Sequence, residues 1–139
     1  MPTVLFVEDD PLIMLSAAST LEDHGWTVKK AANGVVAMER LPELCQNVDV
    51  MLIDLRLGQG PTGWDVAKYA RSFDIALPVA YITGADAMAC ANPDRVQGAV
   101  ILHKPVSAGV LLATLGTLIG VSAEPERAGR GKRRRVSHR

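Results

Sequence analysis

Apolar and polar positions along this chain follow two periods. Five short apolar runs, "TVLFVE" (3–8), "WTVKKA" (26–31), "DVMLID" (49–54), "PVAYIT" (78–83) and "GAVILH" (98–103), are separated by stretches with helical spacing. Runs one, three and five lack strict polar alternation, the mark of central strands covered on both faces of a parallel sheet. "WTVKKA" alternates and carries Lys29 and Lys30, which suits an edge strand.

Between the runs, Leu12, Leu15, Ala18 and Leu21 predict a helix over 11–24, with Pro11 in its first turn and Gly25 closing it. Asn33 is placed to cap a second helix carrying Val36, Met38 and Leu41. A third runs from Gly63 to Phe73, with Val66, Ala67 and Ala70 on one side, and a strongly apolar fourth spans 106–119. "GADAMACANPDRVQ", from Gly84 to Gln97, is rich in small residues and interrupted by Pro93, so any helix there is expected to be short or loosely held. Such βα alternation implies an α/β, doubly wound fold with right-handed crossovers.

The chain has 139 residues, enough for one self-sufficient domain. Its formal charge of zero hides an asymmetry: residues 1–121 carry 8 Lys/Arg against 13 Asp/Glu, and residues 122–139 carry 7 against 2. The last segment, "SAEPERAGRGKRRRVSHR", has almost no apolar content and is expected to be a disordered basic tail beyond a domain at 1–121. Eighteen residues without an apolar face cannot build a helix-turn-helix, so sequence-specific DNA reading is not expected; nonspecific contact with anionic partners is. "AGVLLATLGTLIGVSA" falls short of the ~20 residues of a membrane span and reads as a core helix. Met1-Pro2-Thr3 leads straight into the first run without a basic leader, and Cys45 and Cys90 have no metal-site spacing. The expected location is cytoplasmic.

The chemistry gathers where the runs end. Run one ends in Glu8-Asp9-Asp10, run three in Asp54, run four in Thr83-Gly84 and run five in His103-Lys104-Pro105. Strand C-termini of an open parallel sheet border one crevice, so these groups are delivered to a common rim. Carboxylates held a few ångströms apart disfavour one another's ionisation unless a cation intervenes. A hard divalent ion suits such a set. Asp54 can then be both ligand and nucleophile toward a phosphoryl group, with Lys104 and the Thr83 hydroxyl for its oxygens. Asp10 is placed to cap the helix that Pro11 begins.

"VLFVEDDPLI", "DVMLIDLRLG", "PVAYITG" and "LHKP", in this order, resemble the receiver domain of bacterial response regulators, the CheY-like family, over residues 1–121. The resemblance implies a flavodoxin-like five-stranded parallel sheet of order 2-1-3-4-5 with helices on both faces. It implies Asp54 as phosphoacceptor. Glu8, Asp9, Asp54 and the backbone carbonyl of Arg56 would be ligands of Mg²⁺, with Mn²⁺ able to substitute. Thr83, Gly84 and Lys104 would bind the phosphoryl group and switch with it. A sensor histidine kinase or histidine phosphotransfer protein would be the donor.

Two features depart from the family pattern. Many receivers carry Tyr or Phe three residues before the lysine, and here the position is Ile101, so the usual aromatic coupling cannot operate. The segment after Asp54, "LRLGQGPTGWDVA", is Gly-rich and about one residue longer than the common pattern. Together these resemble stand-alone receivers that lack the aromatic switch, and the Gly84–Gln97 segment is expected to be mobile until Asp54 is phosphorylated. The expected function is a single-domain phosphoacceptor that signals through partner binding or serves as a relay shuttle or sink. The alternative is a receiver-fold interaction module that does not use phosphate. A haloacid-dehalogenase-like phosphatase also uses an aspartyl nucleophile and Mg²⁺, but that family wants a second Asp where this chain has Arg56.

Overall fold

The five runs form five parallel strands in a computed structural model that describes residues 1–84 and 91–120. They are β1 (Thr3–Val7), β2 (Thr27–Ala31), β3 (Val50–Asp54), β4 (Val79–Thr83) and β5 (Val100–His103), in the order β2-β1-β3-β4-β5. Helices α1 (Pro11–Asp23), α2 (Gly34–Leu44), α3 (Gly63–Arg71) and α4 (Ala108–Ile119) cover the sheet, with a short 3-10 turn, Cys45–Asn47, after α2. This is the doubly wound α/β fold, with the strand order that the resemblance implied.

The strand period of two divides the core into layers. Leu5, Val7, Met51, Ile53, Val79 and Tyr81 face α2 and α3, meeting Ala37, Leu41, Val66 and Ala70. Val4, Phe6, Val50, Leu52, Ala80 and Ile82 face α1 and α4, meeting Leu21, Leu111 and Leu115. Each fully buried Leu contributes about 1.5–3 kcal/mol through removal of apolar surface from water. Both faces are covered, so β3 and β4 are buried along their whole length.

Side-chain caps set the helix starts. The Asp10 carboxylate accepts the Leu12 and Ile13 amides at 2.9 and 3.3 Å, directly before Pro11. Asn33 accepts from Val36 at 2.8 Å. Thr62 and Asp65 form a reciprocal capping box on α3. The fourth helix starts at Ala108, two residues later than the sequence pattern predicts, because Ser107 caps it by accepting the Val110 amide. Gly120, at φ +72°, closes it in the left-handed region that favours glycine. The third helix ends at Arg71, since the amides of Ser72 and Phe73 bond back into the last turn.

One expectation about the sheet needs correction. β5 is an edge strand, not a central one, and Val100 and Ile101 are only partly buried. Alternation along a strand reports whether its two faces are covered, and it carries no information about whether a neighbour sits beside it. β5 lies between the two apolar layers, with Leu111 in one and Val96 in the other, while no described strand pairs with its outer side. β2 is the other edge, as its lysines imply. Residues 121–139, including the basic tail, and residues 85–90, including Cys90, lie outside the described residues. Among the described residues no helix is long and apolar enough to cross a membrane.

Candidate functional site

The three consecutive acids after β1 have three different surroundings. Glu8 is buried, its amide donating to Ala31 O at 3.1 Å, so the chain continues beside β2 for one further residue. Asp9 is exposed, and Asp10 faces α1 as its cap. The Asp10 amide donates to Glu8 Oε2 at 3.1 Å, while Glu8 Oε1 is buried with no hydrogen-bond partner among the described residues. One carboxylate oxygen of each of Glu8, Asp9 and Asp54 lies within 4.8 Å of the other two.

Asp54, the last residue of β3, is 3% exposed. Its Oδ1 accepts the Arg56 amide at 2.8 Å, and its Oδ2 accepts from Lys104 Nζ at 2.8 Å. Lys104 arrives there because its amide donates to Thr83 O at 2.8 Å, extending the β4–β5 pairing past both strands; the Lys104–Pro105 peptide is cis. Thr83 is buried at the end of β4, and Gly84 is exposed, with a Cβ at that position lying 4.0 Å from the Lys104 side chain. α3 begins directly against Asp54: a Cβ on Gly63 would fall 2.6 Å from Asp54 O, so only glycine permits this approach.

Electrostatics separate the groups. Burial, reinforced by the charge of Asp54, pushes Glu8 up to about 7, against the opposing pull of the Asp10 amide and Lys104. For Lys104, burial works to lower the value, but the Asp54 hydrogen bond and the charges of Asp54, Glu8 and Asp9 outweigh it and hold the ammonium above its ordinary value. Among the described residues the rim thus has three carboxylates for one ammonium and a buried carboxylate oxygen without a hydrogen bond. That donor set fits a hard divalent cation, which prefers oxygen ligands and tolerates several negative charges.

The sequence-predicted residues Glu8, Asp9, Asp54 and Lys104 are therefore brought together, with Thr83 and Gly84 beside Lys104. The Arg56 backbone is drawn in by its amide. Ile101 stands opposite Tyr81 in the β4–β5 register and packs partly buried against the α2/α3-side core. His103 is exposed, and Trp26 is buried in the α1/α4-side core. Sequence reasoning missed Tyr81. Its ring is fully buried, Trp64 packs on it at 4.7 Å between centroids, and its hydroxyl accepts the Val96 amide at 3.1 Å. The available signal was parity: Tyr81 and Thr83 are two apart in one strand and share a face. On the opposite face an apolar groove of about 650 Å³ lies between α1 and α4, lined by Leu12, Ile13, Ala17, Lys104, Val106 and Leu111 among others.

Known proteins resemble this chain over the same span. The family model for the response regulator receiver domain matches residues 4–116. The crystal structure of a response regulator receiver protein from Sinorhizobium medicae WSM419 superposes with a TM-score of 0.80 at 32% identity, covering 86% of this chain and 95% of that one. The probable transcriptional regulatory protein TcrX of Mycobacterium tuberculosis (strain ATCC 25618 / H37Rv) is 32% identical over 96 residues, 69% of this chain and 38% of TcrX. Sensor kinase CckA of Brucella abortus (strain 2308) is 39% identical over 62 residues, 43% of this chain and 7% of CckA. The chain thus spans well under two thirds of the length of these curated relatives.

Proposed function

The chain belongs to the response regulator receiver family, and on that premise we propose that it is a cytoplasmic phosphoacceptor whose reactive group is Asp54. The observation that carries the reading is the Asp54–Lys104 contact at 2.8 Å inside a rim that also holds Glu8 and Asp9. Receiver domains are signalling proteins, and here the chemistry is limited to gaining and losing one phosphoryl group.

A carboxylate oxygen of Asp54 attacks the phosphorus of a phosphohistidine on a histidine kinase or phosphotransfer protein. The O–P bond forms and the P–N bond breaks, its electron pair returning to the imidazole, which then takes up a proton. Lys104 exchanges its contact with Asp54 for one with a phosphoryl oxygen, and the Thr83 hydroxyl donates to another. The Arg56 amide holds the second Asp54 oxygen and fixes the carboxylate's orientation. Glu8, Asp9, Asp54 and the Arg56 carbonyl would hold Mg²⁺, or Mn²⁺ in its place, which supplies charge neutralisation for the transferring group.

The α1/α4 groove supports a protein donor, since anything seated against Leu12 and Ile13 lies beside Lys104 and hence beside Asp54. Leu12 and Leu15 are 75% and 63% exposed, leaving an apolar stripe on α1 for such a partner. Residues 122–139, with their excess of positive charge, would contact anionic partners without reading sequence.

Incubation with Mg²⁺ and acetyl phosphate, followed by intact mass, tests the proposal. One phosphoryl group is expected on the native chain, and none on Asp54→Asn or with chelator present. Labelling that survives Asp54→Asn would overturn the assignment of Asp54. No labelling by acetyl phosphate or by a kinase would leave only a phosphate-independent interaction module.

A further inference from the structure

The Gly-rich segment after Asp54 is a closed loop that leans on the start of α2. Both of its ends are tied: Arg56 donates its amide to Asp54 Oδ1 at 2.8 Å, and Gly63 donates its amide to Leu55 O at 3.3 Å. Between them Leu57 is buried, Pro61 is half-buried, and Gly58, Gln59, Gly60 and Thr62 are exposed. The middle of the loop meets two other parts of the fold. A Cβ on Gly58 would lie 3.5 Å from Asp9 Oδ2, and one on Gly60 would lie 3.4 Å from Val35 Cγ2 in the first turn of α2. Pro61 comes closer still. A Cβ on Gly34, the first residue of α2, would fall 2.4 Å from Pro61 O and 2.9 Å from Pro61 Cβ.

Such an approach requires that position 34 carry no side chain. A methyl there needs about 3.5 Å of clearance, so the loop and α2 would have to part by about 1 Å. The helix is the fixed partner. Asn33 caps it by accepting the Val36 amide at 2.8 Å, and its Ala37 and Leu41 are fully buried. The strand leading into it is held where Ala31 O accepts the Glu8 amide at 3.1 Å. The exposed loop is the partner that yields. Its far end cannot follow, because Gly63 is packed against Asp54 O. The displacement therefore falls on residues 58–61, beside Asp9.

We propose that Gly34 is a positioning residue for the rim: its missing side chain seats Pro61 on α2, and that seat holds the 56–62 loop in the shape that receives a divalent cation. The inference rests on the reading of Glu8, Asp9, Asp54 and the Arg56 carbonyl as the ligands of that cation. The loop carries the Arg56 carbonyl and sets Gly58 against Asp9, so two of those ligands depend on where it lies. The seat also joins the two sides of the rim, since residues 31–34 run from the Glu8 pairing to Pro61. Groups that orient ligands without touching the metal typically change its affinity 10–100-fold when altered.

The test is a Mn²⁺ titration read by the electron paramagnetic resonance of the free ion, with the Mg²⁺ dependence of acetyl phosphate labelling followed by intact mass. Gly34→Ala is expected to weaken Mn²⁺ binding about tenfold and to raise the Mg²⁺ needed for half-maximal labelling by the same factor. Its labelling rate at saturating Mg²⁺ should stay within about twofold of native, the split expected when binding rather than chemistry is changed. Pro61→Gly loosens the seat without adding an atom, so it does not overpack the fold, and it should weaken Mn²⁺ binding severalfold. Asp49→Ala removes a carboxylate that accepts the Thr3 amide at the other end of the sheet, and it should keep the native affinity. Native affinity in Pro61→Gly overturns the inference whether or not Gly34→Ala folds, and native affinity in a folded Gly34→Ala does so as well. Equal weakening in Asp49→Ala also overturns it, since general loss of stability would then be the cause. A native chain that binds no Mn²⁺ overturns the cation-site reading and the inference with it.

Discussion

Two buried carboxylates stand at opposite ends of this sheet, and the molecule treats them differently. Asp49, just before β3, accepts the Thr3 amide at 2.8 Å on Oδ2, while its own amide donates to Thr3 O at 2.8 Å. It stitches β1 to β3 at the end remote from the site. Glu8, at the other end of β1, is 2% exposed and has one oxygen without a hydrogen bond among the described residues, beside Asp54. Burying an ionised group without full hydrogen bonding is costly. Glu8 carries that cost at the end where four polar strand termini converge. A carboxylate satisfied by backbone ties strands together, and one held beside two others is in a setting that a cation would relieve.

Mutations can break this contrast from either end. The largest effect is expected at the functional end: Lys104→Ala removes the positive charge on Asp54 and should slow labelling by acetyl phosphate about 100-fold, the scale of losing one preorganised charge-stabilising group. Labelling at a native rate would separate Lys104 from the chemistry. At the structural end, Asp49→Ala leaves the half-buried Thr3 amide without its side-chain acceptor and should cost about 0.5–1.5 kcal/mol of unfolding free energy in denaturant titrations. Its labelling rate at saturating Mg²⁺ should stay within about twofold of native. A large fall in that rate would mean the two ends are not independent.

The smallest effect sharpens the contrast by its sign. Glu8 has a folded value of about 7, above its unfolded 4.5. Between these values the folded state binds the proton that the unfolded state has lost, so stability in chelator declines as pH rises through that window and levels off above it. Glu8→Gln removes the buried charge, so at pH 8 in chelator its Tm should exceed native by a few degrees. Mg²⁺ should raise the native Tm and raise the Glu8→Gln Tm less. A Glu8→Gln protein less stable than native in chelator would make Glu8 a structural group like Asp49. On the surface, Leu15→Lys should slow transfer from a protein donor severalfold and leave acetyl phosphate labelling unchanged.

Much of the site was legible because each functional group directly follows an apolar run. Parallel strands of similar length end on one side, so Glu8, Asp54, Thr83 and Lys104 had to share a rim once the runs were recognised. The cap at Asp10 was legible for a local reason, since Pro11 and the following apolar periodicity announce a helix start. The edge position of β5 was not legible from the run itself, because covered faces and a covered edge leave different traces and only the first appears in side-chain alternation. Tyr81 lies inside the fourth apolar run, which marks it as a strand residue and no more. Its partner Val96 is 15 residues away, and nothing local connects them. The expected mobility of Gly84–Gln97 falls partly on residues 85–90, outside the described residues; in the described part, Asp94, Val96 and Gln97 bond to Lys68, Tyr81 and Arg71.

Short-range chemistry written along the chain thus determined the strands, the helix caps, the doubly wound class and the inventory of groups at the rim. The tertiary structure decided how those groups divide the work. Three adjacent acids became a buried carboxylate, an exposed one and a helix cap, because backbone pairing with β2 carries Glu8 inward and α1 claims Asp10. Lys104 reached Asp54 across 50 residues of sequence because two strands pair one residue beyond their ends. Burial, partner geometry and the proximity of like charges depend on which segments become neighbours, and that is a property of the packed sheet.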